Sequence, residues 1–156
     1  MRIASRFTLV LFLLIAFSIA LTPAYGANAT VTDCTNFTGA GSVSDAVTTA
    51  NSGGGTITFT CSGTIIFTTE LTITATVIMN ANGNTVIFDE TGNDNRFFVV
   101  DVGASLTLNS FTLQNGNADV GGAIYNNIGS LTVNNSTFTG NSVTDFGGAI
   151  FNDGTA

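Results

Sequence analysis

The chain has 156 residues, 44% hydrophobic and only 8% charged, with three Lys or Arg against ten Asp or Glu and a formal charge of −7. It contains no His and no Lys, which excludes a His-centred triad, an imidazole proton shuttle, His-ligated zinc, a Schiff base and a P-loop lysine. An acidic chain repels phosphate, which argues against nucleic acid as a partner, while the apolar fraction is enough for a core.

Met1–Arg6 carries Arg2 and Arg6, and Phe7–Leu21 is an uninterrupted run of apolar and small residues. Thr22-Pro23-Ala24-Tyr25-Gly26 follows, with small residues three and one before a cut after Gly26. This is the three-part pattern of a secretory signal peptide over residues 1–26, with a cut after Ala29 as second choice. A run of 15 residues closed by Pro23 is short for a bilayer span, so no transmembrane segment is expected after cleavage. The expected location is extracellular or at the cell surface, with outer-membrane association an option. Cleavage leaves Arg96 as the sole cationic side chain. Export also permits a Cys34–Cys61 disulfide, closing a loop of about 28 residues and adding roughly 3–4 kcal/mol through chain entropy. The rival reading, a reactive thiol, finds no neighbouring base or positive charge in the sequence.

Residues 27–55 read as an N-terminal cap. Ser42-Val43-Ser44-Asp45 has the form of a capping box, and Val43, Ala46, Val47 and Ala50 recur at helical spacing. Asn51-Ser52 and Gly53-Gly54-Gly55 end that short helix, so the glycine run is a helix stop and not a phosphate loop.

From Thr56 onward short runs of β-branched, aromatic and Leu residues alternate with Gly, Asn, Asp and Ser. They include Ile57–Phe59, Ile65–Phe67, Leu71–Ile73, Val77–Met79, Val86–Phe88, Phe97–Val100, Leu106–Leu108, Phe111–Leu113, Ala123–Tyr125, Leu131–Val133 and Ala149–Phe151. Gly121-Gly122-Ala123-Ile124-Tyr125-Asn126 recurs 26 residues later as Gly147-Gly148-Ala149-Ile150-Phe151-Asn152. Leu106-Thr107-Leu108-Asn109 recurs 25 residues later as Leu131-Thr132-Val133-Asn134, which places one inserted residue in a turn. Three strands in a period of this length form one coil of a parallel β-helix, each coil about 4.8 Å above the last. The expected fold is therefore all-β: a right-handed parallel β-helix over residues 56–156 behind a short capping helix. Ile124 over Ile150 should form a core column, Tyr125 over Phe151 an aromatic stack, and Asn126 over Asn152 an amide ladder.

These repeats resemble the polymorphic outer-membrane-protein repeat of bacterial surface β-helices, which carries a Gly-Gly-Ala-Ile and a Phe-x-x-Asn motif per coil. Gly121, Gly122, Ala123 and Ile124, then Gly147, Gly148, Ala149 and Ile150, match the first motif, and Phe138 and Asn141 the second. The preceding coil has Leu113-Gln114-Asn115-Gly116 in place of the second motif. Ser42–Val47 is similar to the Ser-Leu-Arg-Glu-Ala-Ile cap helix of large secreted β-helix proteins, although Gly41 stands where many relatives have Cys. The resemblance implies a non-enzymatic adhesin-like or passenger-type scaffold that contacts a host, cell-surface or matrix ligand. Through the wider pectin-lyase-like superfamily, it leaves as alternative the N-terminal fragment of a β-helix polysaccharide lyase or glycoside hydrolase. Asp153–Ala156 follows a repeat strand without a capping helix, so a longer parent protein is expected.

No catalytic residue or organic cofactor is indicated. Asp119 and Asp145 each stand two residues before a Gly-Gly pair, so they are expected one above the other, where Ca²⁺ could bridge them. The plainer reading makes them turn residues screened by water. Asp89 and Glu90 are adjacent on a strand and should face opposite ways as solvated acids. Arg96 reads as a surface charge, while Asp94 lies within a polar insertion, Thr91–Asn95, of the kind that carries function on a β-helix. Phe67, Phe88 and Phe138 read as a core column and not as a sugar platform.

Overall fold

Three to five residues of β-branched and aromatic character cannot build a wide antiparallel sheet, but they can line one side of a coil and pair with the same side of the next. The computed structural model describes residues 26–156; the expected signal peptide lies outside the described residues except for Gly26. One short strand, β1 (Ala29–Val31), leads into helix α1 (Val43–Asn51). The first full turn contains β2 (Gly55–Phe59), β3 (Gly63–Ile66) and β4 (Leu71–Ile73), and the second β5 (Thr76–Asn80), β6 (Val86–Asp89) and β7 (Phe98–Val100). The third turn contains β8 (Ser105–Asn109), β9 (Thr112–Gln114), β10 (Asn117–Val120) and β11 (Ile124–Asn126). The fourth repeats it with β12 (Ser130–Asn134), β13 (Thr137–Thr139), β14 (Ser142–Phe146) and β15 (Ile150–Asn152).

Every pairing among these strands is parallel and joins equivalent positions of successive turns. Three sheets run the length of the stack, in the orders β1-β2-β5-β8-β12, β3-β6-β9-β13 and β4-β7-β11-β15. The fourth, β10-β14, exists only in the last two turns. The protein is thus a parallel β-solenoid with one short helix near its N-terminal end, and no helix among the described residues is long and apolar enough to cross a membrane.

The helix forms where the sequence places it. The Ser42 hydroxyl accepts the Asp45 N–H at 3.3 Å, and Val43, Ala46, Val47 and Ala50 are buried against the first turn. Asp45 returns the bond one residue early, to the Gly41 N–H at 3.2 Å, because the Ser42 N–H already reaches the Gly39 carbonyl. Cys34 and Cys61 form the expected disulfide, which ties the loop before the helix to the turn after β2, with Cα atoms 5.7 Å apart.

Ile124 pairs with Ile150, Tyr125 with Phe151 and Asn126 with Asn152, as the 26-residue recurrence requires. Leu106 pairs with Leu131 at the 25-residue recurrence. The residue that separates the two spacings lies inside a strand and not in a turn: between the pairs Ala118–Val143 and Val120–Phe146 the register shifts by one, and β14 bulges. The phenylalanine column also differs from expectation. Ile65, Phe88, Leu113 and Phe138 stand in register, whereas Phe67 lies off that column and packs against the Phe88 ring at 5.0 Å. Phe67 and Phe88 are fully buried and Phe138 is partly so; all three pack in the core, in a layer that also takes Phe59, Phe97, Phe98 and Phe111.

Candidate functional site

Where the last two turns have β10 and β14 as a fourth side, the second turn has the loop 90–97. The Asn117 N–H bonds the Asn95 carbonyl at 3.0 Å, and the Ser142 N–H bonds the Gly116 carbonyl at 2.8 Å, so the loop stacks beneath the two strands as a coil would. It turns tightly: the Asn93 N–H reaches back to the Glu90 carbonyl at 3.1 Å, with Gly92 at φ +91° in the position that favours glycine. Residues 90–94, Asn115, Asn117 and Ser142 line a polar recess of about 570 Å³.

Two adjacent carboxylates where β6 gives way to the loop have opposite environments. Asp89, 8% exposed, accepts bonds from the Thr91 hydroxyl at 2.6 Å, the Thr91 N–H at 2.9 Å, Gln114 Nε2 at 2.8 Å and Asn115 Nδ2 at 3.0 Å. Burial alone would raise its pKa, but these donors outweigh it and hold the carboxyl below its usual range. Glu90 is 1% exposed, and neither carboxyl oxygen has a hydrogen-bond partner. Burial, then repulsion from Asp89 and Asp94, push its pKa up to about 8, so it is largely protonated at neutral pH. The expectation that both acids are solvated is therefore wrong. It assumed a continuing strand, whereas β6 ends at Asp89 and the loop folds over both residues.

Arg96 is not a surface charge either. Its side chain is 13% exposed and lies between coils: Nε is 3.0 Å from Glu70 Oε2, Nη2 is 2.6 Å from Asp119 Oδ1, and Nη1 donates to the Val120 carbonyl at 2.6 Å. Its guanidinium carbon sits 5.6 Å from the centre of the Tyr125 ring. The Val120 N–H and then the Arg96 guanidinium hold the Asp119 carboxyl below its usual range. Asp119 thus has a cationic partner within the chain. The bulge sets Thr144 and Asp145 together opposite Asp119, in place of the simple one-above-one stack expected for Asp119 and Asp145. Among the described residues no group of three or more His, Cys, Asp or Glu side chains is arranged to hold a metal.

The motif residues serve the stack. Gly121, Gly147 and Gly148 have positive φ, and a Cβ on Gly122 would land on the Ser142 carbonyl oxygen. Ala123 and Ile124 are fully buried, and Ala149 and Ile150 repeat them one coil on. Asn141 clips its coil to the one before: Oδ1 accepts the Gly116 N–H at 2.9 Å and Nδ2 donates to the Leu113 carbonyl at 3.0 Å. Asn126 donates to Asn152 Oδ1 at 2.5 Å, the expected ladder. A second, three-rung ladder of Asn80, Asn109 and Asn134, with bonds of 2.6 and 2.9 Å, escaped the sequence reading although two of its rungs lie in the recurring Leu-Thr-x-Asn stretch. Compared with protein-family models, curated proteins and solved structures, the chain finds no match in any of the three.

Proposed function

We propose that the protein is an exported, non-enzymatic β-solenoid scaffold of the adhesin-like or passenger type, presented outside the cell or on its surface. The observation that carries this reading is the use of the polar side chains. The amides of Asn80, Asn109, Asn126, Asn134 and Asn141 bond neighbouring coils, and Arg96 joins Glu70 to Asp119. Most of the polar chemistry is thereby committed to rigidity, which suits a surface that works by extended contact. The structural duties of Gly121, Gly122, Ile124, Phe138 and Asn141 support the resemblance to the polymorphic outer-membrane-protein repeat.

Export is supported by the Cys34–Cys61 disulfide, which persists in oxidising compartments. A cut after Gly26 is favoured over one after Ala29. The first keeps Asn28, whose side chain accepts the Thr56 N–H at 2.8 Å, and Ala29, which pairs with Ile57; the second removes both. The ligand is a host, cell-surface or matrix component, and nucleic acid remains disfavoured by charge. The test is to express the full chain with an export-competent host, sequence the N-terminus of the released protein, and incubate it with immobilised matrix components and a panel of polysaccharides. Saturable binding without turnover is expected, with Ala27 as first residue. Release of new reducing ends or unsaturated sugars would replace this reading with a carbohydrate-active β-helix enzyme.

A further inference from the structure

We propose that the recess at residues 90–94 binds a hard divalent cation of the calcium type, with the carboxylates of Glu90 and Asp94 and the side-chain amide oxygen of Asn93 as its protein ligands. This goes beyond the scaffold reading and does not depend on it.

The first support is the direction in which the amides face. Asn93 Nδ2 donates to the Phe67 carbonyl at 2.9 Å, Asn115 Nδ2 to Asp89 Oδ1 at 3.0 Å, and Asn117 Nδ2 to Asp94 Oδ1 at 2.8 Å. The carbonyl and carboxylate oxygens accept these bonds, which orients each amide with its nitrogen toward them. Each NH₂ group is turned toward the protein, and the oxygen of Asn93 receives no hydrogen bond from any described residue. What the recess offers is oxygen acceptors.

The second support is Glu90. A buried carboxyl without any partner costs free energy that nothing in the folded chain offsets. The chain has no counter-charge to supply: Arg96 is the sole Lys or Arg among the described residues, and it is committed to Glu70 and Asp119. A cation held by Glu90 and Asp94 would displace the Glu90 proton and offset both carboxylates, with Asp94 already tied to the third turn through Asn117.

An all-oxygen set of carboxylates and an amide carbonyl is calcium chemistry and unlike the nitrogen and sulfur sets of zinc. Calcium also tolerates irregular sets with water completing the shell, whereas magnesium demands near-octahedral geometry, so calcium should bind the more tightly.

The full chain, freed of metal with a chelator, would be titrated with CaCl₂ and separately with MgCl₂ by calorimetry and thermal melting at constant ionic strength. Calcium should bind saturably and raise the melting temperature, with magnesium weaker. Glu90→Gln and Asp94→Asn should each weaken calcium binding on the order of tenfold or more, whereas Asp145→Asn should leave it intact. Two recess variants are used so that a failure of one to fold leaves the other decisive. No calcium-dependent heat or melting shift in the wild-type protein would overturn the site. So would a shift that survives both recess variants, one that Asp145→Asn abolishes, or a recess that responds to monosaccharides and not to calcium.

Discussion

The corner at Gly121–Asn126 and the loop at 90–97 occupy comparable edges of the stack, yet they treat their polar groups in opposite ways. At the repeated corner, Asn126 is fully buried and satisfied: it accepts the Gly129 N–H at 3.1 Å and donates to Asn152 and the Thr155 carbonyl. The loop departs from the repeat, and there Glu90 is equally buried but unpartnered. In a solenoid a polar side chain finds its partner in the equivalent residue one coil away. Where the sequence departs from its period, the partner is missing and the group becomes available to something else.

Substitutions at the two places should therefore diverge. Asn126→Ala removes bonds that satisfy buried groups of two coils and should cost about 3 kcal/mol, read as a lower denaturant midpoint. Gly122→Ala, at the same corner, should cost about 2 kcal/mol, because the backbone must shift away from the Ser142 carbonyl. Glu90→Gln should cost nothing in chelator, and would raise the melting temperature at alkaline pH. An equal loss at Glu90 and Asn126 would erase the contrast.

The pH dependence sharpens it further. The folded-state pKa of Glu90 lies near 8 against an ordinary 4.5, so the native state binds more protons between those values. The stability associated with protonated Glu90 is full below about 4.5 and is lost as pH rises through about 8. Asp89 and Asp119 have the opposite sign: their carboxyls are held below the usual range, and their contribution fades as pH falls. In chelator, wild-type stability should decline from mildly acid to alkaline pH, and Glu90→Gln should flatten the alkaline part. The smallest effect belongs to Asp145→Asn, an exposed residue in the β14 bulge, which should stay within about 0.5 kcal/mol.

Much of the stack was legible because a period leaves its mark on apolar residues. The 25- and 26-residue recurrences gave the register of Leu106 on Leu131 and Ile124 on Ile150, and Ser42 with its apolar spacing gave the helix. β10 and β14 were missed because Asn117-Ala118-Asp119-Val120 alternates over only four residues, one of them a small Ala, and the bulge breaks the alternation of the mostly exposed Ser142–Phe146. Asp89 and Glu90 were misplaced because local alternation cannot reveal that a loop will fold back over a strand end. Two of these polar contacts lay within reach of the period itself: Glu70 stands 26 residues before Arg96, and Gln114 stands 25 after Asp89. Applying the repeat to polar residues, as it was applied to Ile and Leu, would have paired them.

The contrast between a self-satisfied corner and an unsatisfied loop is tested by amide hydrogen exchange, with and without calcium. The amides of Gly122–Asn126, bonded to the neighbouring coil, should be protected in both conditions. Those of Thr91 and Asn93 should exchange rapidly in chelator and slow when calcium is added. Strong protection of the loop in chelator, unchanged by calcium, would contradict the account.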